Sequence, residues 1–172
     1  MRIFKFCILP ILLFAVALFL AGFACPKHWE VEVSTHVAAT PEELHPWIED
    51  LRKWEEWTAW SAEFSYTYEG AERGVGAVAI SANERSDVRW EITASDPRKG
   101  VWFDQLLEGE TEAKGAIMYA VDGDGTKVTW VDRGSLGTSP LSRVLNYVME
   151  RALHVGLQAN LDSLREHVEG RS

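Results

Sequence analysis

The sequence predicts an α+β domain in which one curved antiparallel sheet closes over a single long C-terminal helix. Two observations carry this. Residues 139–170 read as one helical pattern, and upstream of it about seven alternating stretches are separated by short turn signals. Strands joined by short turns pair antiparallel. A sheet with one apolar face must bury it against another layer, and the long helix is the element available to serve as that layer.

The helix has both of its ends written into the chain. Ser139 is suited to the N-cap, Pro140 to the first helical position and Gly170 to the stop. Between them the apolar residues fall on two sides. Leu141, Val144, Leu145, Val148, Ala152, Val155, Gly156 and Ala159 share one side. Leu153, Leu157, Leu161, Leu164 and Val168 lie nearly opposite. One side is expected to press on the sheet and the other on further helices or a cavity. Ala152, Gly156 and Ala159 form a small-residue strip, which means either close backbone packing or room for a ligand.

The remaining elements follow in order. Residues 29–37 alternate apolar and polar, as a half-buried strand does. Thr40, Pro41 and Glu43 start a helix, and two short helices are expected at about residues 41–48 and 50–54. Further strands are expected at residues 62–69, 77–82, 88–93, 101–107, 113–121 and 127–133. Asp122-Gly123-Asp124-Gly125 between the last two is a hairpin signal, because Asp-Gly tolerates the positive φ of tight turns.

The first 25 residues are of another kind. Arg2 and Lys5 precede a charge-free run over residues 6–25, long enough to cross a bilayer core. The positive flank places the N-terminus in the cytoplasm and the rest of the chain outside it. Three readings stay open: an uncleaved single-pass anchor, which the length of the run favours; a signal peptide cleaved after Ala24; and a lipoprotein acylated at Cys25. The organisation read is a membrane segment over residues 1–25 and one folded domain over residues 26–172.

Composition narrows function. The net charge of −9 argues against nucleic acid and anionic headgroups as partners. Both cysteines, Cys7 and Cys25, lie in or at the edge of the apolar run, so the domain has no cysteine-based metal site or disulfide. His28, His36, His45, His154 and His167 show no metal-ligand spacing, and no serine sits in a nucleophile elbow. No metal and no cofactor is expected. Aromatic residues make up 11% of the chain, with eight Trp, a large load for one domain.

The stretches A-A-T-P-E-E-L-H-P-W-I-E-D-L-R-K-W-E-E-W-T-A-W, G-T-K-V-T-W-V-D-R-G-S-L-G and V-G-L-Q-A-N-L-D-S-L-R-E, in this order around the hairpins, resemble the polyketide cyclase/dehydrase-like branch of the START-like (SRPBCC) superfamily. The resemblance covers residues 29–169. It implies the helix-grip fold, an antiparallel sheet wrapped round the C-terminal helix with an apolar cavity between them. It also implies a lipid, sterol, polyketide or other hydrophobic small molecule as ligand.

Alternation along the strands makes Trp90, Trp102, Met118 and Trp130 of the sheet the expected lining of such a cavity, facing Val148, Ala152 and Gly156 of the helix. Trp54, Trp57 and Trp60, spaced by three, either pack a short-helix cap onto the sheet or gate the cavity mouth. Asp104 and Asp132 are the carboxylates that alternation can turn inward, where burial would raise their pKa. Tyr66, Tyr68 and Tyr119 are further hydrogen-bond donors. The expected function is a membrane-tethered binding domain for a hydrophobic small molecule or lipid. The alternative is a cyclase- or dehydratase-like enzyme using an acid in the same cavity. A protein-binding role, as in the heat-shock ATPase activators of the superfamily, ranks last because export separates the domain from such a partner.

Overall fold

The computed structural model describes residues 10, 13, 16, 17, 19–84 and 86–170. Seven strands form one antiparallel sheet in the order β1-β7-β6-β5-β4-β3-β2. They are β1 (Trp29–Val37), β2 (Ser65–Gly70), β3 (Ala77–Ala82), β4 (Asp87–Asp96), β5 (Gly100–Leu107), β6 (Thr111–Asp122) and β7 (Gly125–Gly134). Between β1 and β2 lie α1 (Pro41–Ile48), a 3-10 turn (Leu51–Lys53) and the single-turn α2 (Trp54–Trp57); α3 (Pro140–Glu169) closes the chain. The second short helix thus begins at Trp54, later than the sequence suggested, because Asp50 caps a 3-10 turn first by accepting from Arg52 N at 3.0 Å.

Local signals act as their chemistry requires. Thr40 Oγ1 accepts from Glu43 N, and Glu43 Oε2 accepts from Thr40 N at 2.8 Å, a reciprocal capping box at the start of α1. Ser139 Oγ accepts from Ser142 N at 3.1 Å at the start of α3. The β6–β7 hairpin turns on Gly123 at φ 61°, as an Asp-Gly turn demands.

The inner face of the sheet carries Val31, Val33 and Val37 of β1, Ile92 of β4, Val101 and Phe103 of β5, Ile117 of β6, and Val128 and Trp130 of β7, all buried. Against it α3 presses Leu157, Leu161, Leu164 and Val168. The other apolar side of the helix points to solvent: Leu141, Leu145, Val148 and Val155 are exposed. This corrects the expected orientation. The line of larger leucines wins the buried side, since it removes more apolar area from water than the line broken by Ala152, Gly156 and Ala159.

Two buried amides pin the helix. Asn146 Nδ2 donates to Lys27 O at 2.7 Å, and its Oδ1 accepts from Leu136 N at 2.8 Å, fastening the loop before α3. Asn160 Oδ1 accepts from Ala59 N at 2.8 Å, fastening the segment after α2.

Among the described residues no helix is long and apolar enough to cross a membrane. Nine of the 20 residues of the apolar run over residues 6–25 fall outside the described residues. Its end is tied to α3, where Arg143 Nε donates to Cys25 O at 2.8 Å.

Gly156, mid-way along α3, offers a clean stability test. A Cβ added there would meet Trp60 Cζ3 at 3.6 Å, ordinary van der Waals contact. Gly156→Ala is therefore expected to raise stability by about 0.5–1 kcal/mol through helix propensity and a less free unfolded chain, as read by urea unfolding. A loss of stability would mean that Trp60 lies closer to the helix than described.

Candidate functional site

The leucine line of α3 and the aromatic segment 54–60 together fill most of the concave side of the sheet. Trp54 is the hub, its ring 5.4–5.7 Å from those of Trp57, Trp90, Phe103 and Trp130. Its Nε1 donates to Ile48 O at 2.9 Å, which holds the wedge to the end of α1. What remains unfilled is a cavity of about 190 Å³ between α3, the 60–64 segment and strands β3, β4, β5 and β7. Trp60, Phe64, Val88, Trp90, Leu107, Leu153 and Leu157 form its apolar walls. Ser81, Gln105 and Asp132 supply its polar groups. Ser81 is already engaged: its Oγ donates to Val88 O at 3.3 Å and accepts from Trp90 Nε1 at 3.2 Å.

Asp132 is the group that stands apart. It is 2% exposed. Trp29 Nε1 donates to its Oδ1 at 3.0 Å, and Gln105 Nε2 donates to its Oδ2. Both donors are neutral, and among the described residues no cation pairs with it. Burial pushes its carboxyl above the ordinary range; the two N–H donors pull the other way without cancelling that. Asp104 is the reverse case. It lies exposed on the outer face, 3.5 Å from Lys114 Nζ, which removes it as a cavity acid.

The structure brings together only part of the expected lining. Trp90 borders the cavity. Trp130 faces inward but is wholly buried in the ring cluster. Trp102 and Met118 lie on the outer face, in a depression shared with Lys114, Val131 and Arg133. The register explains this: Val101 pairs with Ile117 and Phe103 with Gly115 on the inner rows, which sends Trp102 and Met118 outward. Val148 and Ala152 sit on the solvent side of α3, and Gly156 faces Trp60. Of the three tryptophans expected at the mouth, Trp54 and Trp57 are core residues, and Trp60 is the one on the cavity wall. Phe64, Ser81, Val88, Gln105, Leu107, Leu153 and Leu157 of the lining, and Trp29 behind Asp132, are absent from the lining that the sequence predicts. The inward phase of β5 (Val101, Phe103, Gln105, Leu107) would have found Gln105.

Other concave places differ in kind. A larger groove of about 490 Å³ between β1 and α3 is bordered by Glu30, Glu32, Glu150, Arg151 and His154, with Val31 and Val155 the two apolar side chains among them, so charged groups dominate its rim where a small-molecule site is mainly apolar. Under α1, buried His45 brings Nε2 to 3.1 Å from Ser95 Oγ and 3.2 Å from Glu49 Oε2, with Nδ1 3.4 Å from Tyr119 OH. The tautomer that satisfies all three carries its proton on Nε2. It then donates toward Ser95 rather than taking its proton, so the serine is not activated as a nucleophile. Tyr68 donates to Glu55, and burial followed by that carboxylate raises its pKa.

Asp132 yields a pH prediction. Between its unfolded pKa and its raised folded pKa, the native state holds a proton that the unfolded chain has released. Stability owed to this group therefore falls as pH rises through that window, by up to about 1.4 kcal/mol per pH unit. Asp132→Asn removes the titration. The unfolding free energy of the variant minus that of the wild type, measured in urea between about pH 4 and pH 8, is expected to grow with pH and then level off. A flat difference would show that burial does not destabilise the carboxylate.

Comparison with known proteins agrees with this architecture. Residues 28–169 match the family model described as polyketide cyclase / dehydrase and lipid transport. Among solved structures, the chain is similar to TTHA0849 from Thermus thermophilus, with 20% identity, TM-score 0.64, and 83% of this chain and 99% of that one covered. It is similar also to SA2116 of Staphylococcus aureus, a protein of unknown function, with 14% identity, TM-score 0.66 and coverage of 84% and 96%. DynU16, from the dynemicin biosynthetic locus, matches with 18% identity and TM-score 0.61; 83% of this chain is covered, but the chain spans only 48% of DynU16. These likenesses show the fold. Among curated proteins no match is found. With its sheet gripping one long helix and a family match over most of its length, the chain belongs to the polyketide cyclase/dehydrase and lipid transport family.

Proposed function

We propose that this protein binds a small hydrophobic molecule in the cavity beneath Trp60, and that its N-terminal apolar run tethers it to a membrane with the domain on the exported side. The observation that carries the binding reading is the cavity itself: about 190 Å³, apolar over most of its wall, with three polar side chains, Ser81, Gln105 and Asp132. That is the composition of a ligand pocket, in a volume below the roughly 300 Å³ at which pockets for drug-sized molecules begin. An engineered apolar cavity of about 150 Å³ holds benzene, so this one suits a single ring with a short side chain, or the end of a longer molecule, rather than a whole membrane lipid.

The tether reading rests on the charge-free run over residues 6–25 behind Arg2 and Lys5. The junction of that run is held at the start of α3 by Arg143, beside exposed Leu141, Leu145 and Val148. A second reading, an enzyme of the cyclase or dehydratase kind, is favoured by one observation: Asp132 is an acid of raised pKa on the cavity wall.

Organic extraction of the purified full chain, followed by mass spectrometry, is expected to release a small apolar molecule. Leu153→Trp, which puts a ring into the cavity, is expected to reduce its recovery at least about tenfold while leaving the fold intact. Equal recovery from both proteins, or none from either together with no uptake of any fluorescent apolar probe, would count against the pocket. For the tether, the full chain is expected to stay with the membrane fraction through carbonate washing. Its appearance in the soluble fraction would overturn that part.

A further inference from the structure

We propose that the ligand carries a basic nitrogen, and that Asp132 receives it as an ammonium. This inference rests on the binding reading above and narrows its ligand to a class: a small apolar amine.

A carboxylate buried without a cation is costly, and proteins pair such groups or keep them protonated. Asp132 has been given two hydrogen bonds that fix its orientation, from Trp29 on β1 and Gln105 on β5. Neither donor brings charge. Each carboxylate oxygen keeps acceptor capacity beyond the one bond it makes. Among the described residues lining the cavity, Asp132 is the one ionisable group. The site therefore holds a fixed acceptor of negative charge and nothing to attract an anion. Two of its walls, Trp60 and Trp90, are indoles, the aromatic faces that best attract a cation. The net charge of −9 adds a field that draws cations in and turns carboxylates away. An apolar body on the leucine and phenylalanine wall with an ammonium at Asp132 satisfies every one of these features, whereas an alcohol leaves the charge of the carboxylate uncompensated. If Asp132 is protonated before the ligand arrives, an incoming free amine takes that proton and the same ion pair results.

The test compares three probes of like shape, 2-phenylethylamine, 2-phenylethanol and 3-phenylpropanoate, by calorimetric titration of the full chain and by its tryptophan fluorescence. The amine is expected to bind about tenfold or more tighter than the alcohol, as a charge-assisted bond exceeds a neutral one, and the carboxylate is expected not to bind. Asp132→Asn is expected to bring amine and alcohol to equal affinity. Asp104→Asn, on the outer face, is expected to leave the preference unchanged. Binding of the alcohol as tightly as the amine, or a preference that survives Asp132→Asn, overturns this inference and leaves the pocket standing. Failure of all three probes to bind overturns the pocket and the inference together. The wild-type comparison decides the matter even if Asp132→Asn does not fold.

Discussion

Everything on the concave side of the sheet depends on how two fillers share one volume. The leucine line of α3 covers the β1 side, and the aromatic wedge from Trp54 to Trp60 covers the middle. Four rings meet Trp54 at edge-to-face or tilted angles, the geometries that aromatic pairs prefer. Such a cluster cannot shift by a small amount without losing several contacts at once. The wedge thus packs as one interlocked unit, and the space it does not reach is the cavity. Trp130 pays for this closeness: its indole N–H is buried in the cluster with no hydrogen-bond partner among the described residues.

Polar side chains decide where the wedge stands. Asn160 is wholly buried on the leucine side of α3 and fastens the chain at Ala59. The next residue, Trp60, comes to rest over Gly156. One amide thus sets the distance between the helix and the roof of the cavity. The strip of small residues on α3 acts at this single point, not as a surface for close backbone packing along its length.

Most of the fold could be read from the sequence because it rests on local rules. Caps, an Asp-Gly turn and alternation define the ends and order of elements without reference to the rest of the chain. The cavity lining could not be read as well, and β5 shows why. Both of its rows are apolar enough to be inward: Trp102 with Leu106, or Val101 with Phe103 and Leu107. Period-two alternation cannot choose between them. Volume at one position pointed to Trp102, whereas the pairing with β6 selected the row of Phe103. The helix posed the same problem with its two apolar sides, and total buried area, a tertiary quantity, resolved it.

That register also explains how a carboxylate became buried at all. Gln105 and Asp132 lie on β5 and β7, with β6 between them. The inward positions of β6 that separate them are Ala113 and Gly115. With almost no side chain there, the amide of Gln105 reaches across to Asp132, and the ring of Phe103 settles over Gly115, whose added Cβ would meet it at 2.0 Å. The other side repeats the device. Trp29 of β1 pairs with Gly134 of β7, and a Cβ on Gly134 would meet the indole at 2.2 Å, so the bare glycine lets the ring lie flat enough for its N–H to reach Asp132. Two glycines and an alanine, silent in any search for chemistry, clear the path along which two neutral donors converge on one acid. Asp104, of the same chemical type and next to Gln105 on β5, lies one step out of that phase and meets solvent and Lys114 instead.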